Sequence, residues 1–119
     1  MKRYRMHING EWVEAAAGGY LPVYDPSTED IIAEVPDAAA ADVDRAVAAA
    51  RAAFDSGPWP STTAQERGRI LFRLAERVRK ESATLAELES RNSGKPIVEA
   101  EFDINDVATC FEYYGGLAT

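Results

Sequence analysis

RNSGKPIVEAEFDINDVATCFEYYGGL, residues Arg91 to Leu117, decides how the rest of the chain is read. It reads as a helix stop, a turn and a second long helix with carboxylates on one flank. Asn92-Ser93-Gly94 closes the first helix, because Gly and Asn tolerate the left-handed conformation that satisfies its last carbonyls. Pro96 blocks immediate resumption and suits the first turn of a new helix. The periodicity predicts that helix from about Val98 to Leu117, with Ile104, Val107, Ala108 and Phe111 facing a core. Asp103 and Asp106, three residues apart, share one side of it, roughly a quarter turn from the apolar stripe.

Upstream, the period changes. Arg5 to Ile8 and Glu11 to Glu14 read as strands around Asn9-Gly10, a hairpin turn in which both residues must accept positive φ. Leu21 to Tyr24 and Ile31 to Val35 form a second strand pair around Asp25-Pro26-Ser27-Thr28, a turn opened by an aspartate side chain. Pro22 and Pro36 cannot donate to a ladder, so these strands lie at edges or end there. After Pro36 the apolar spacing becomes helical, with Val43, Val47, Ala50 and Phe54 on one face and Asp42 and Asp44 at the positive end of the helix dipole. Gly57-Pro58-Trp59-Pro60 breaks this helix. Thr63-Ala64-Gln65-Glu66 is a capping box for the next, whose stripe is Ile70, Leu71, Leu74 and Val78. Ser82 is placed to cap a short third helix carrying Leu85 and Leu88.

Composition excludes several classes. The 119 residues suit one domain with a modest core, and 46% hydrophobic with 28% charged residues is a globular composition. A net charge of -7 argues against a nucleic-acid partner and favours small cations. A single cysteine, Cys110, excludes an internal disulfide. No apolar run reaches membrane-spanning length, and the basic start Met1-Lys2-Arg3 leads into His7, Asn9 and Glu11 rather than an apolar signal core, so the cytoplasm is the expected compartment and no membrane partner is expected. The architecture expected is α/β: two N-terminal β-hairpins over residues 1–36, then four amphipathic helices over 37–119. Two hairpins offer little sheet for four helices to cover. A further sheet, from a longer chain or another subunit, is therefore expected, and the apolar ending at Thr119 reads as a cut.

Five pieces, in order, resemble the N-terminal section of the NAD(P)-dependent aldehyde dehydrogenases. Ile8-Asn9-Gly10-Glu11-Trp12 is similar to that family's opening hairpin, and Tyr24-Asp25-Pro26-Ser27-Thr28 to its Asn-Pro turn, with Asp for Asn. Asp42 to Phe54 resembles its first helix and Glu66 to Leu71 its second; Ser93-Gly94-Lys95-Pro96 stands where it often has Thr-Gly-Lys-Pro. Within the family the aminoaldehyde and betaine-aldehyde group is most similar. The resemblance implies a Rossmann-like coenzyme domain against which the four helices pack, NAD or NADP as coenzyme, a small-molecule aldehyde as substrate, and a homodimer or homotetramer. It also implies aldehyde oxidation by a nucleophilic cysteine and a glutamate-activated water. None of those motifs lies in residues 1–119, so no catalytic, coenzyme or metal residue is assigned here and the isolated chain is expected to be inactive. In this group, two aspartates at the positions of Asp103 and Asp106 hold the substrate's ammonium end, and an aromatic at the position of Phe102, often Trp, lines the channel.

Bland readings stand beside these. Asp103 and Asp106 also fit a solvated acidic flank, and like charges at this spacing cost a helix about 0.2–0.5 kcal/mol. Phe102 fits second-face packing as well as cation stacking. Cys110 reads as a small buried core residue, and the lone His7 as neither triad nor metal ligand. The basic second helix, interspersed with Glu66, Glu76 and Glu81, reads as a salt-bridged exposed face. Gly18-Gly19 and Gly115-Gly116 lack the strand–helix context of a phosphate loop. Asn92 stands where some family members use an aspartate for a structural monovalent cation, and a neutral amide binds sodium less strongly. The alternative to an enzyme fragment is a non-catalytic truncated product or helical interaction module that associates through apolar helix faces.

Overall fold

The computed structural model describes residues 1–119. The chain divides into two units, Met1–Ser61 and Thr62–Thr119.

The first unit holds five strands and one long helix. β2 (Met6–Ile8) and β3 (Glu11–Val13) form the anticipated hairpin, pairing Met6 with Val13 and Ile8 with Glu11. Asn9 at φ 53° and Gly10 at φ 82° supply the two left-handed turn residues. β4 (Tyr20–Tyr24) pairs antiparallel with β5 (Ile31–Pro36). The second hairpin is not alone. Lys2–Arg3 adds β1, parallel to the far side of β5, so the sheet order is β1-β5-β4. Two residues carry no hydrophobic period, which is why sequence reading passes over β1; an Arg3–Glu34 ion pair at 2.6 Å fastens it. Pro22 lies in the edge strand β4 and Pro36 ends β5, where neither missing donor interrupts a ladder. At Asp25 the expected turn forms, the carboxylate accepting from Ser27 N at 2.9 Å.

α1 (Ala40–Ser56) lies against β2. Its apolar stripe does not meet a core. Val43, Val47 and Phe54 are exposed, and the guanidinium of Arg51 lies 4.5 Å from the Phe54 ring centre. The helix is held instead by Asp42, the largest fully buried side chain in the structure, at 1% exposure.

The second unit is three packed helices. α2 (Ala64–Lys80) opens with the expected capping box: Glu66 N donates to Thr63 Oγ1 at 3.2 Å and Thr63 N donates to Glu66 Oε2 at 3.0 Å. The Thr63 hydroxyl, then the Thr63 backbone N–H, hold the Glu66 carboxyl below its ordinary value, with Arg69 adding to the effect. α3 (Ser82–Ser93) follows without a side-chain cap. Ser82 is the first helical residue and not the cap, because α2 runs on to Lys80 and leaves Glu81 alone at the junction, its N–H bonded back to Arg77 O. Gly94, at φ 76°, ends α3 as anticipated. α4 (Ile97–Leu117) begins at once after Pro96, whose carbonyl accepts from Glu99 N and Ala100 N.

Small residues bring these helices together. Gly68, Ala75, Ala86, Ala100, Ala108 and Gly115 are buried; of the residues expected on inward stripes, Leu71, Val78, Leu85, Ile104 and Phe111 are half-buried, and Ile70, Leu74, Leu88 and Val107 are 36–47% exposed. α2 and α4 approach backbone to backbone at Gly68 and Gly115. A Cβ on Gly68 would sit 2.7 Å from Gly115 O, and one on Gly115 would sit 3.2 Å from Gly68 O. The basic face of α2 is partly ion-paired as expected, through Arg77–Glu81 at 3.0 Å, and Arg79 forks onto Glu112 of α4. No helix is long and apolar enough to cross a membrane.

Candidate functional site

The turn between α3 and α4 sets up the candidate site. Ser90 Oγ donates to Lys95 O at 2.7 Å, and Lys95 N donates to Ser93 Oγ at 3.3 Å, so the backbone of Lys95 is held against the end of α3. Its side chain then reaches carboxylates on both helices. Lys95 Nζ donates to Asp103 Oδ2 in a close ion pair and lies 3.7 Å from Glu89 Oε1. The Asp103 hydrogen bond, followed by the charges of Asp103 and Glu89, raises the Lys95 pKa above its ordinary value.

Beside this pair, α3 and α4 enclose an open depression of about 430 Å³. Glu89, Asp103, Asp106 and Cys110 give its polar lining; Ile104, Val107 and Phe111 give the apolar part. The structure thus brings Asp103 and Asp106 to one concave surface, as their spacing predicts. Their surroundings differ. Asp103 is half-buried and paired, whereas Asp106 is exposed and makes no hydrogen bond or ion pair. Sequence reading missed both Lys95 and Glu89. The signal for Lys95 was the eight-residue span from Lys95 to Asp103 across a tight Gly-Lys-Pro turn, which returns the lysine to the second turn of the new helix. Three carboxylates against one ammonium leave two negative charges in excess. Such a depression attracts a small cation, and its apolar side accepts an alkyl chain.

Phe102 does not line this depression. It is 68% exposed on the neighbouring face of α4. Cys110 is exposed, which corrects the expectation of a core residue. It lies two residues from buried Ala108, about 200° round the helix. His7 stacks edge-on against Trp12, ring centres 4.9 Å apart, within the first hairpin. No group of three or more His, Cys, Asp or Glu side chains is placed to hold a metal ion.

The residues present do not fit a nicotinamide dinucleotide. A pyrophosphate needs a glycine-rich turn from a strand into a helix N-terminus. Here β5 enters α1 through Asp37-Ala38-Ala39, and Gly115-Gly116 lies inside α4.

The model of the aldehyde dehydrogenase family matches residues 12–119. A mitochondrial aldehyde dehydrogenase of Arabidopsis thaliana, family 2 member B4, is 46% identical over 93% of this chain and 21% of its own length. Aminoaldehyde dehydrogenase 2 of Solanum lycopersicum is 44% identical over 96% of this chain and 23% of its own length. Betaine aldehyde dehydrogenase of Staphylococcus aureus, solved with NAD+, superposes with a TM-score of 0.92 at 35% identity, covering 95% of this chain and 23% of that one. Identities of 46% and 44% are too close to select a substrate group. The chain spans less than a quarter of the length of these relatives and corresponds to their N-terminal part. On a family match that runs from the first hairpin to the last helix, and a backbone that superposes over 95% of its length, this chain belongs to the aldehyde dehydrogenase family.

Proposed function

We propose that the chain is the N-terminal part of an NAD-dependent aldehyde dehydrogenase that oxidises ω-aminoaldehydes or betaine aldehyde to carboxylic acids. Asp103 and Asp106 recognise the cationic end of the substrate, and Phe102 lines the approach. The observation that carries this reading is the net-negative depression in which Asp106 is open and unpaired. A carboxylate there attracts an ammonium while the apolar wall of Ile104, Val107 and Phe111 accepts the carbon chain. The coenzyme belongs to the remainder of the protein; the NAD+ of the S. aureus relative supports NAD. The parent enzyme is a homodimer or homotetramer, which light scattering tests.

The test is kinetic, in the full-length protein. Asp106→Asn raises the ratio of KM for an ω-aminoaldehyde to KM for a neutral aldehyde of equal length by roughly tenfold, the scale of one charge-assisted hydrogen bond. Equal changes for both substrates remove the role.

The exposed apolar residues of α1 and α4, among them Val47, Phe54, Val98 and Leu117, favour a second reading as a non-catalytic helical interaction module. An open reading frame that continues past Thr119 into a nucleophilic cysteine decides for the enzyme.

A further inference from the structure

Lys95 presents a primary ammonium to the carboxylates that the proposed substrate's own ammonium would seek. Its backbone is pinned by Ser90 and Ser93, and its Nζ sits between Glu89 and Asp103. An incoming ω-ammonium therefore meets two unlike carboxylates. Asp103 is already satisfied by a tethered cation, and Asp106 is not.

We propose that Lys95 is a specificity-determining residue: a built-in competitor that neutralises Asp103 and weakens the site for cationic aldehydes, leaving Asp106 as the open anchor. This rests on the reading of Asp103 and Asp106 as the cation-recognising pair. Attachment to the α3–α4 turn keeps the Lys95 ammonium at high local concentration beside Asp103, whatever the substrate concentration. A lysine ammonium is charged across the neutral range, and Asp103 and Glu89 favour that charged form further. Side-chain exposures of 35% for Lys95 and 44% for Asp103 leave the pair partly screened by water, so its effect is moderate and local. A neutral aldehyde has nothing to gain from a freed Asp103. Lys95 therefore acts on the ratio between substrate classes.

The experiment uses the full-length enzyme, an ω-aminoaldehyde and a neutral aldehyde of equal length. Lys95→Gln lowers the cationic-to-neutral KM ratio by about two- to fivefold, the range of a partly exposed ion pair, and the gain shrinks as salt is raised. Lys95→Arg, which keeps the charge and pairs with Asp103 through a fork, holds the ratio at or above the wild-type value, and this variant carries the test if Lys95→Gln does not fold. An unchanged or raised ratio in Lys95→Gln, or a lowered one in Lys95→Arg, overturns the proposal. So does a Lys95→Gln variant that melts lower and shifts both KM values together, which marks a latch for the turn. Asp106→Asn separates the two levels of failure. If it raises the ratio while Lys95→Gln does nothing, the site stands and the competitor falls; if it leaves the ratio unchanged, both fall.

Discussion

Each of the two units of this chain is fastened internally, and by opposite means. In Met1–Ser61 the central fastening is a charge: Asp42, 1% exposed, accepts from Ala39 N at 3.0 Å and from Ala16 N at 3.1 Å, with Arg45 3.6 Å away. One carboxylate thus caps α1 and ties the loop between β3 and β4 to it. In Thr62–Thr119 the fastening is the absence of side chain, with Gly68 and Gly115 letting α2 and α4 approach backbone to backbone. Neither unit buries large apolar side chains. The buried apolar residues are all alanines, and Val43, Val47, Phe54, Phe102 and Leu117 remain exposed. Fine positioning in such a structure depends on polar anchors and close contacts more than on hydrophobic area, because burying alanine removes little surface from water.

The contrast breaks first at Asp42. Asp42→Ala strips the acceptor from two backbone N–H groups and is expected to cost about 3 kcal/mol, since each buried orphan donor costs about 1–3. Urea unfolding of the full-length protein measures it; a loss below 1 kcal/mol would mean that water replaces the carboxylate and that the anchor is dispensable. Gly68→Ala probes the second unit. The new Cβ meets a backbone oxygen at 2.7 Å, so α2 or α4 must shift, and the expected cost is about 1–2 kcal/mol after the better helix propensity of alanine is credited. Gly116→Ala, whose Cβ would meet nothing within 4 Å, should be neutral or stabilising in the same assay. If both variants behave alike, the close approach at Gly68 is not what holds the helices.

The smallest effect belongs to the cap. Thr63→Ala should cost about 1 kcal/mol, the usual value of a threonine N-cap. Glu66 gives it a pH signature. Its folded pKa is lowered by Thr63, so the folded state binds fewer protons than the unfolded chain, and the resulting stability is present above the ordinary carboxylate range. It fades as pH falls through the lowered value. The Thr63→Ala penalty should accordingly shrink in acid, and a penalty constant from neutral pH to below the carboxylate range would show that Glu66 takes no part.

The parts of the fold legible in advance were those governed by local chemistry. Asn9-Gly10, Thr63 to Glu66 and Gly94 each require a particular residue type for a particular dihedral or an orphan N–H, and each formed its turn, cap or stop. Inward faces were less legible. Hydrophobic period marks which residues could be covered, not which partner is present, so the stripe of α1 met solvent and that of α2 was only partly covered, with Leu71 and Val78 half-buried, Ile70 and Leu74 exposed, and Gly68 and Ala75 buried. β1 escaped because two residues carry no period, and Cys110 because apolar character alone does not orient a residue on its helix. At the candidate site, the spacing of Asp103 and Asp106 was enough to put them on one surface. The inequality between them was not visible, since it depends on where the Lys95 side chain goes.

Local sequence by itself determined where helices start and stop, where the chain reverses, and that two aspartates share a helix flank, because those outcomes depend on dihedrals and spacing within a few residues. Only the tertiary structure decided that Asp42 is an anchor, that Gly68 faces Gly115, and that Lys95 occupies one aspartate and leaves the other free. Each of those joins separate segments, and their meeting is set by packing between elements rather than by any property of either segment alone.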